Sequence, residues 1–146
     1  MEYKIKVCID TNILLDFVSA DRERHAIAQQ LFHLIYTHKV EATVSTQSVL
    51  DAAYLAGKKP LSGISDYRTA MLYMLMRTDV GYVDSFDLRD ALENTHPDIE
   101  DSALISFAYD NCCDFFLTND KELLSREVPR PMKVMTPEEF VDKCRA

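Results

Sequence analysis

VCIDTNILLDF, residues 7–17, begins as a buried strand and sets a carboxylate, Asp10, at its apolar end. Thr11 and Asn12 follow, and from Ile13 to about Ser19 the chain reads as a short helix. Just upstream, Ile5, Val7 and Ile9 alternate with two lysines, which predicts a strand from Lys4 to Ile9. A strand that ends in an acid where it turns into a helix is a βα unit with charge at its carboxyl edge.

The rest of the chain repeats that alternation. Arg22 to His38 is a longer predicted helix, with Ile27, Leu31, Leu34 and Ile35 at helical spacing. Glu41 to Val44 is a second strand, and Ser45 or Thr46 suits the N-cap of a helix running to Ala56. Residues 57–63, with Gly57, Pro60 and Gly63, form the clearest loop. Ser65 or Asp66 then caps a helix whose Tyr67, Met71, Met74 and Leu75 make a core-filling stripe. Gly81 to Val83 reads as a third strand, and Ser85 caps a helix through Glu93. Asp98 to Asp110 is helical, Phe115 to Leu117 a fourth strand, Lys121 to Ser125 a short helix and Lys133 to Met135 a last strand. Thr136-Pro137-Glu138-Glu139 is a capping box with proline at the first helical position. Strands alternating with helices imply a parallel sheet covered on both faces, in one α/β domain over residues 1–146.

Composition excludes several classes. A net charge of −8 argues against a protein that coats nucleic acid through lysine and arginine. It leaves room for an enzyme that meets phosphates through metal ions. Between Asp84 and Asp101 stand seven acids and a single Arg89, which reads mostly as a solvated face. Cys8, Cys112, Cys113 and Cys144 contain no C-x-x-C pair, so idle or buried thiols are expected. The chain starts without the apolar run of a signal peptide and no stretch approaches membrane-spanning length, so a cytoplasmic location is expected. With only Gly57, Gly63 and Gly81, no glycine-rich phosphate loop is available. His25, His33, His38 and His96 read as surface or satisfied core residues.

In open parallel sheets ligands bind beyond the carboxyl ends of the strands. Asp10 ends the first strand, and Asp120 follows the fourth, in FFLTND, residues 115–120. Asp51 lies in the helix after the second strand, in line with Tyr54 and Leu55. Asp101, in DIEDSALISFAYD (residues 98–110), shares a helical face with Leu104, Ile105 and Ala108 and so points toward the protein. Partly buried carboxylates that approach one another need a positive partner. No lysine, arginine or histidine flanks Asp10 or Asp51, and an all-oxygen set selects Mg²⁺ or Mn²⁺ over zinc. Each acid also has a structural reading: Asp10 and Asp120 as helix caps, Asp101 as a first-turn aspartate on the helix dipole, Asp51 as half of a distant ion pair.

The ordered set resembles the PIN-domain nucleases. It comprises Asp10-Thr11-Asn12 after a hydrophobic strand, the segment from Ser45 to Asp51, DIEDSALISFA and FFLTND, and the likeness runs from Lys4 to the MTPEEF ending at Phe140. The resemblance implies an α/β/α sandwich whose acidic pocket binds one or two Mg²⁺ or Mn²⁺ ions and cleaves RNA phosphodiesters. Many bacterial single-domain members are VapC-like toxins of toxin–antitoxin pairs, which implies RNA as substrate, an antitoxin protein as partner and, as in many relatives, a homodimer. Matched by position, Asp10, Asp51, Asp101 and Asp120 are the four motif acids, while Asn12 and Thr118 are polar positions that hold them. Asp51 departs from the pattern, which usually has glutamate there. Asp98 is expected as an outer-shell acid, and Glu100 is expected to face elsewhere on its helix, in solvent.

The mechanism implied is in-line displacement by an activated water between two ions about 3.5–4 Å apart. Arg22, Arg24, Lys58, Lys59, Lys121, Arg126 and Arg130 are candidate phosphate contacts. The shortened Asp51 keeps a rival open, a catalytically weakened PIN-like module that binds RNA or protein. A phosphotransfer enzyme with Asp10 as nucleophile lacks the second aspartate two residues on, where Asn12 stands.

Overall fold

The computed structural model describes residues 3–58 and 63–145. The elements are β1 (Lys6–Ile9), α1 (Thr11–Val18), α2 (His25–Tyr36), β2 (Glu41–Ser45), α3 (Thr46–Gly57) and α4 (Gly63–Leu75). They continue with β3 (Asp79–Gly81), α5 (Ser85–Glu93), α6 (Ile99–Asp110), β4 (Phe115–Leu117), α7 (Lys121–Ser125), β5 (Lys133–Met135) and α8 (Pro137–Arg145). All the strand pairings are parallel, in the order β3-β2-β1-β4-β5. Chain order runs outward to β3 on one side of β1 and to β5 on the other. The direction of travel reverses between β1 and β4, which opens a crevice at their carboxyl ends.

The central strand is buried on both faces: Val7, Cys8 and Ile9 are fully covered. On one face Val7 and Ile9 join Ile13, Leu14, Leu31, Phe32, Val44 and Phe140, so α1 to α4 and α8 share that core. On the other, Cys8 packs with Leu104, Phe107, Ala108, Phe116 and Leu123 from α6, β4 and α7. The expected sandwich of helices around a parallel sheet is what forms. α6 is buried from Ser102 to Ala108, because it lies across the sheet beneath α5.

Caps account for most boundaries. Ser45 is the N-cap of α3, accepting from the Ser48 N–H at 3.0 Å, and Asp98 caps α6 by accepting from the Asp101 N–H at 2.9 Å. The expected cap at Ser85 is instead Asp84, which forms a capping box with Asp87. Thr136 accepts from the Glu139 N–H at 3.1 Å, as its capping sequence requires. α4 starts at Gly63, so Ser65 and Asp66 fall in its first turn; the expected loop's Pro60, like Lys59, lies outside the described residues.

One expectation fails for a physical reason. The third strand is Asp79–Gly81, two residues earlier than predicted. Its register pairs Gly81 with Ser45, where α6 crosses so closely that a Cβ on Gly81 would sit 2.8 Å from the Phe107 ring. Tyr82, read as strand, is thereby left exposed. Within the Asp84–Asp101 acidic run, mostly open to solvent as expected, Asp87 is the exception. Asp87 is 1% exposed and accepts from the Ser106 hydroxyl at 2.8 Å.

Candidate active site

Asp10 is delivered by β1, whose backbone is tied to β4 through the Asp10 N–H and the Leu117 carbonyl at 3.1 Å. One carboxyl oxygen caps α1, accepting from the Thr11 N–H at 2.8 Å. The other accepts from the Thr118 hydroxyl at 2.7 Å. Thr118, fully buried, in turn accepts from the Asp120 N–H at 3.0 Å, so one hydroxyl links the acids at the ends of β1 and β4. The helix-cap reading of Asp10 holds, and the cap occupies only one of its two carboxyl oxygens.

Asp10, Asp51, Asp98, Glu100, Asp101 and Asp120 line one cavity of about 350 Å³, with Thr11, Asn12, Tyr54 and Leu55 on its walls. The four motif acids therefore share a surface. They do not converge on one point: among the described residues no group of three His, Cys, Asp or Glu side chains is set to enclose a metal ion. Asp98 and Asp120 are also caps, Asp120 accepting from the Glu122 N–H at 2.9 Å. Asn12 is exposed on the rim and, among the described residues, makes no hydrogen bond to a carboxylate.

Crowding of like charge shows in the acidities. Burial, ahead of contact with Asp98 and repulsion by Asp10 and Asp120, pushes Asp101 up to about 7. Burial also raises Asp10, against the opposing bonds from Thr118 and Thr11. Among the described residues the ion pairs, Arg22–Asp16 and Arg24–Glu138, lie away from these carboxylates.

Sequence reasoning misplaced three groups. Glu100 is exposed as expected, but it lines the cavity with Asp51 instead of facing elsewhere on its helix; contact with the Asp51 carboxyl, then burial, raises its pKa. The cavity opens at the end of α6 rather than along its side, so neighbouring first-turn residues both reach it. Tyr54 and Leu55, expected to face the protein with Asp51, are 68% and 40% exposed. α3 instead buries its small residues Ser48, Ala52 and Ala56, one turn apart, and leaves the larger ones on the rim. Asp16 was missed altogether. It is buried, receives Arg22 Nε at 2.7 Å and Asn119 Nδ2 at 3.3 Å, and so fastens the β4–α7 turn to α1. An acid inside the apolar run of residues 13–18 was the available signal.

The candidate phosphate contacts thin out accordingly. Arg22 and Arg24 are held in ion pairs, and Arg126 donates to the Ser102 hydroxyl at 2.6 Å. Lys58, Lys121 and Arg130 stay exposed, with the Lys58 ammonium 4.5 Å above the Tyr54 ring at the cavity rim. The cysteines are free thiols, Cys8 and Cys113 buried, and among the described residues no helix is long and apolar enough to cross a membrane.

A curated relative, Ribonuclease VapC1 of Aquifex aeolicus, is 24% identical over 142 residues, covering 94% of each chain. Among solved structures, PAE2754 from Pyrobaculum aerophilum matches with a TM-score of 0.65 at 15% identity, over 97% of this chain and 96% of that one. VapBC2 from Rickettsia felis, bound to a DNA fragment from its promoter, matches with a TM-score of 0.62 at 15% identity, over 90% of this chain and 98% of that one. The model of the PIN domain matches residues 6–122, a span that carries every one of the cavity acids, and the chain belongs to the PIN-domain family.

Proposed function

We propose that this protein is a divalent-metal-dependent endoribonuclease that cuts RNA at the acid-lined cavity, and that it is the toxin of a toxin–antitoxin pair. The observation that carries the reading is the shared cavity of Asp10, Asp51, Asp101 and Asp120, among whose lining residues there is no cationic side chain. Similarity to a ribonuclease and to a VapBC assembly supports it. The donor chemistry fits Mg²⁺ or Mn²⁺, since every available ligand atom is a hard oxygen. Asp10, Asp101 and Asp120 would hold the ion, with Asp51 on the α3 wall and Glu100 facing it from α6. A bound ion supplies charge neutralisation at the phosphodiester and a more acidic water.

The chain's own residues supply the positioning. Thr118 and the Thr11 N–H fix both oxygens of Asp10, and Asp16 with Asn119 fixes the turn that carries Asp120. Exposed Lys58, Lys121 and Arg130 draw the phosphate backbone toward an otherwise repelling surface.

The test is cleavage of a mixed RNA pool by purified protein with Mn²⁺ or Mg²⁺ and with chelator. Asp10→Asn, which keeps the helix cap, should abolish cutting and stay folded. Equal cutting by the variant, or by the parent in chelator, would sink the assignment. RNA binding without any cutting would favour the rival that the short Asp51 keeps open, a binding module.

A further inference from the structure

A second hollow of about 340 Å³ adjoins the acidic one and shares five of its walls: Asp10, Thr11, Asp51, Glu100 and Asp101. Its remaining lining differs in kind. Val83, Leu88, Ile99 and Leu104 make an apolar floor and sides, while Gln47 and Ser48 supply polar groups from the first turn of α3. Such a chamber, mostly apolar with a few polar groups, is the usual form of a site for a flat organic ligand.

Gln47 is exposed, and among the described residues its amide makes no hydrogen bond, so its donors and its acceptor are both free for a ligand. Ser48, 1% exposed, accepts from the Ser45 hydroxyl at 3.0 Å and keeps its own proton to donate. Neither group is used in positioning the acids.

We infer that this hollow is a base-specificity subsite, which takes the nucleobase next to the cleaved phosphodiester of a single-stranded RNA. The inference rests on the ribonuclease reading above. With five walls in common, a phosphodiester lying against the acids places one of its own flanking bases within reach of the apolar chamber. Apolar side chains sandwich the faces of an unstacked base, and a carboxamide reads its edge with one donor and one acceptor, which is how single-stranded RNA is distinguished by sequence. A duplex cannot offer this, since its bases stay stacked. The apolar lining offers a phosphate no partner, so the base and not the backbone enters the chamber.

The experiment uses short labelled RNAs that differ in one nucleotide on either side of the cut, including an abasic one at each position. Cleavage is followed in Mn²⁺, and binding to the same RNAs by fluorescence anisotropy in chelator. The parent should favour one base at one flanking position by roughly tenfold, mostly through KM, and lose that factor with the abasic RNA. Gln47→Leu should flatten the choice between bases. Leu88→Ala should weaken every base-bearing RNA yet leave the abasic one unchanged. Both residues are surface-accessible, so folding is not at stake.

A parent that cuts all RNAs equally, or variants that keep the parent's preference, would overturn the subsite while leaving the nuclease reading intact. A parent that never cuts overturns the nuclease reading instead. Base-dependent binding in chelator would still uphold the subsite, and base-independent binding would overturn it too.

Discussion

Replacing Thr118 by valine removes one hydroxyl and almost no volume, and that hydroxyl holds two of the proposed site acids. It donates to Asp10 at 2.7 Å and accepts from the Asp120 N–H at 3.0 Å. A hydrogen bond to a charged group contributes about 1.5–3 kcal/mol net, and stranding a buried donor or acceptor costs a comparable amount. Asp10 keeps its bond from the Thr11 N–H, and the half-buried Asp120 N–H can turn to water, so the expected loss is about 2 kcal/mol. For a chain of this size that lowers Tm by about 7 °C. With Thr118 gone, a bond that favours ionised Asp10 is lost and its pKa, already raised by burial, climbs further. Metal affinity and cleavage should then fall by about 10- to 100-fold, as when the partner of a ligand is removed. Scanning calorimetry with chelator, and cleavage across a Mn²⁺ titration, separate the two effects. Thr118→Ser restores the hydroxyl and should recover most of both. A valine variant that melts within about 2 °C of the parent and cuts at the parental rate would refute the linkage.

Three other outcomes are open to measurement. Saturating Mn²⁺ should raise the parent's melting temperature, by about 2.7 kcal/mol of stabilisation at a hundred times Kd, and leave Asp10→Asn nearly unmoved; an unshifted parent at millimolar Mn²⁺ contradicts the metal site. Asp110, hydrogen-bonded to Asp87 and repelled by it, by Asp84 and by Asp90, has its pKa raised to about 6. Its folded-state value lies above the unfolded one, so its stabilisation is full below about pH 4 and is lost as pH rises through 6. Asp110→Asn should flatten that slope, by about 1 kcal/mol at most because solvent screens so exposed a group, and an unchanged slope in denaturant titrations would contradict it. Gly81→Ala places a methyl 2.8 Å from the Phe107 ring and should cost about 1–3 kcal/mol in urea unfolding; a neutral result would mean that β3 and α6 yield freely.

The parts of the fold legible in the sequence are those fixed by local chemistry. β1, β4 and β5 are short apolar runs bounded by turn residues, and Ser45, Asp98 and Asp120 announce their helices as caps. What escaped was set by contacts distant in sequence. β3 is placed by Gly81 meeting Phe107, a neighbour visible only once α6 lies across the sheet. Helical periodicity told correctly that Asp101 shares a face with buried Leu104, Ile105 and Ala108. The same argument failed for Tyr54 and Leu55, which share Asp51's face yet lie exposed, because α3 packs through Ser48, Ala52 and Ala56. Periodicity names a face of a helix; size and neighbours decide whether that face is the covered one.

The same limit explains why Glu100 was overlooked while Asp51 raised the question it answers. The resemblance to PIN-domain nucleases leads one to expect glutamate at position 51, and the aspartate there is one methylene shorter. Seen along the chain this is a loss. In the folded protein the opposite wall is the first turn of α6, and Glu100 reaches across from it to share a hydrogen bond with Asp51. The reach given up by one helix is present on the other. Like charge marks the cavity: burial and the neighbouring carboxylates raise the pKa of Asp101, and contact with Asp51 raises that of Glu100. A divalent cation bound among them, as proposed, would turn the mutual repulsion of the carboxylates into shared attraction to one charge.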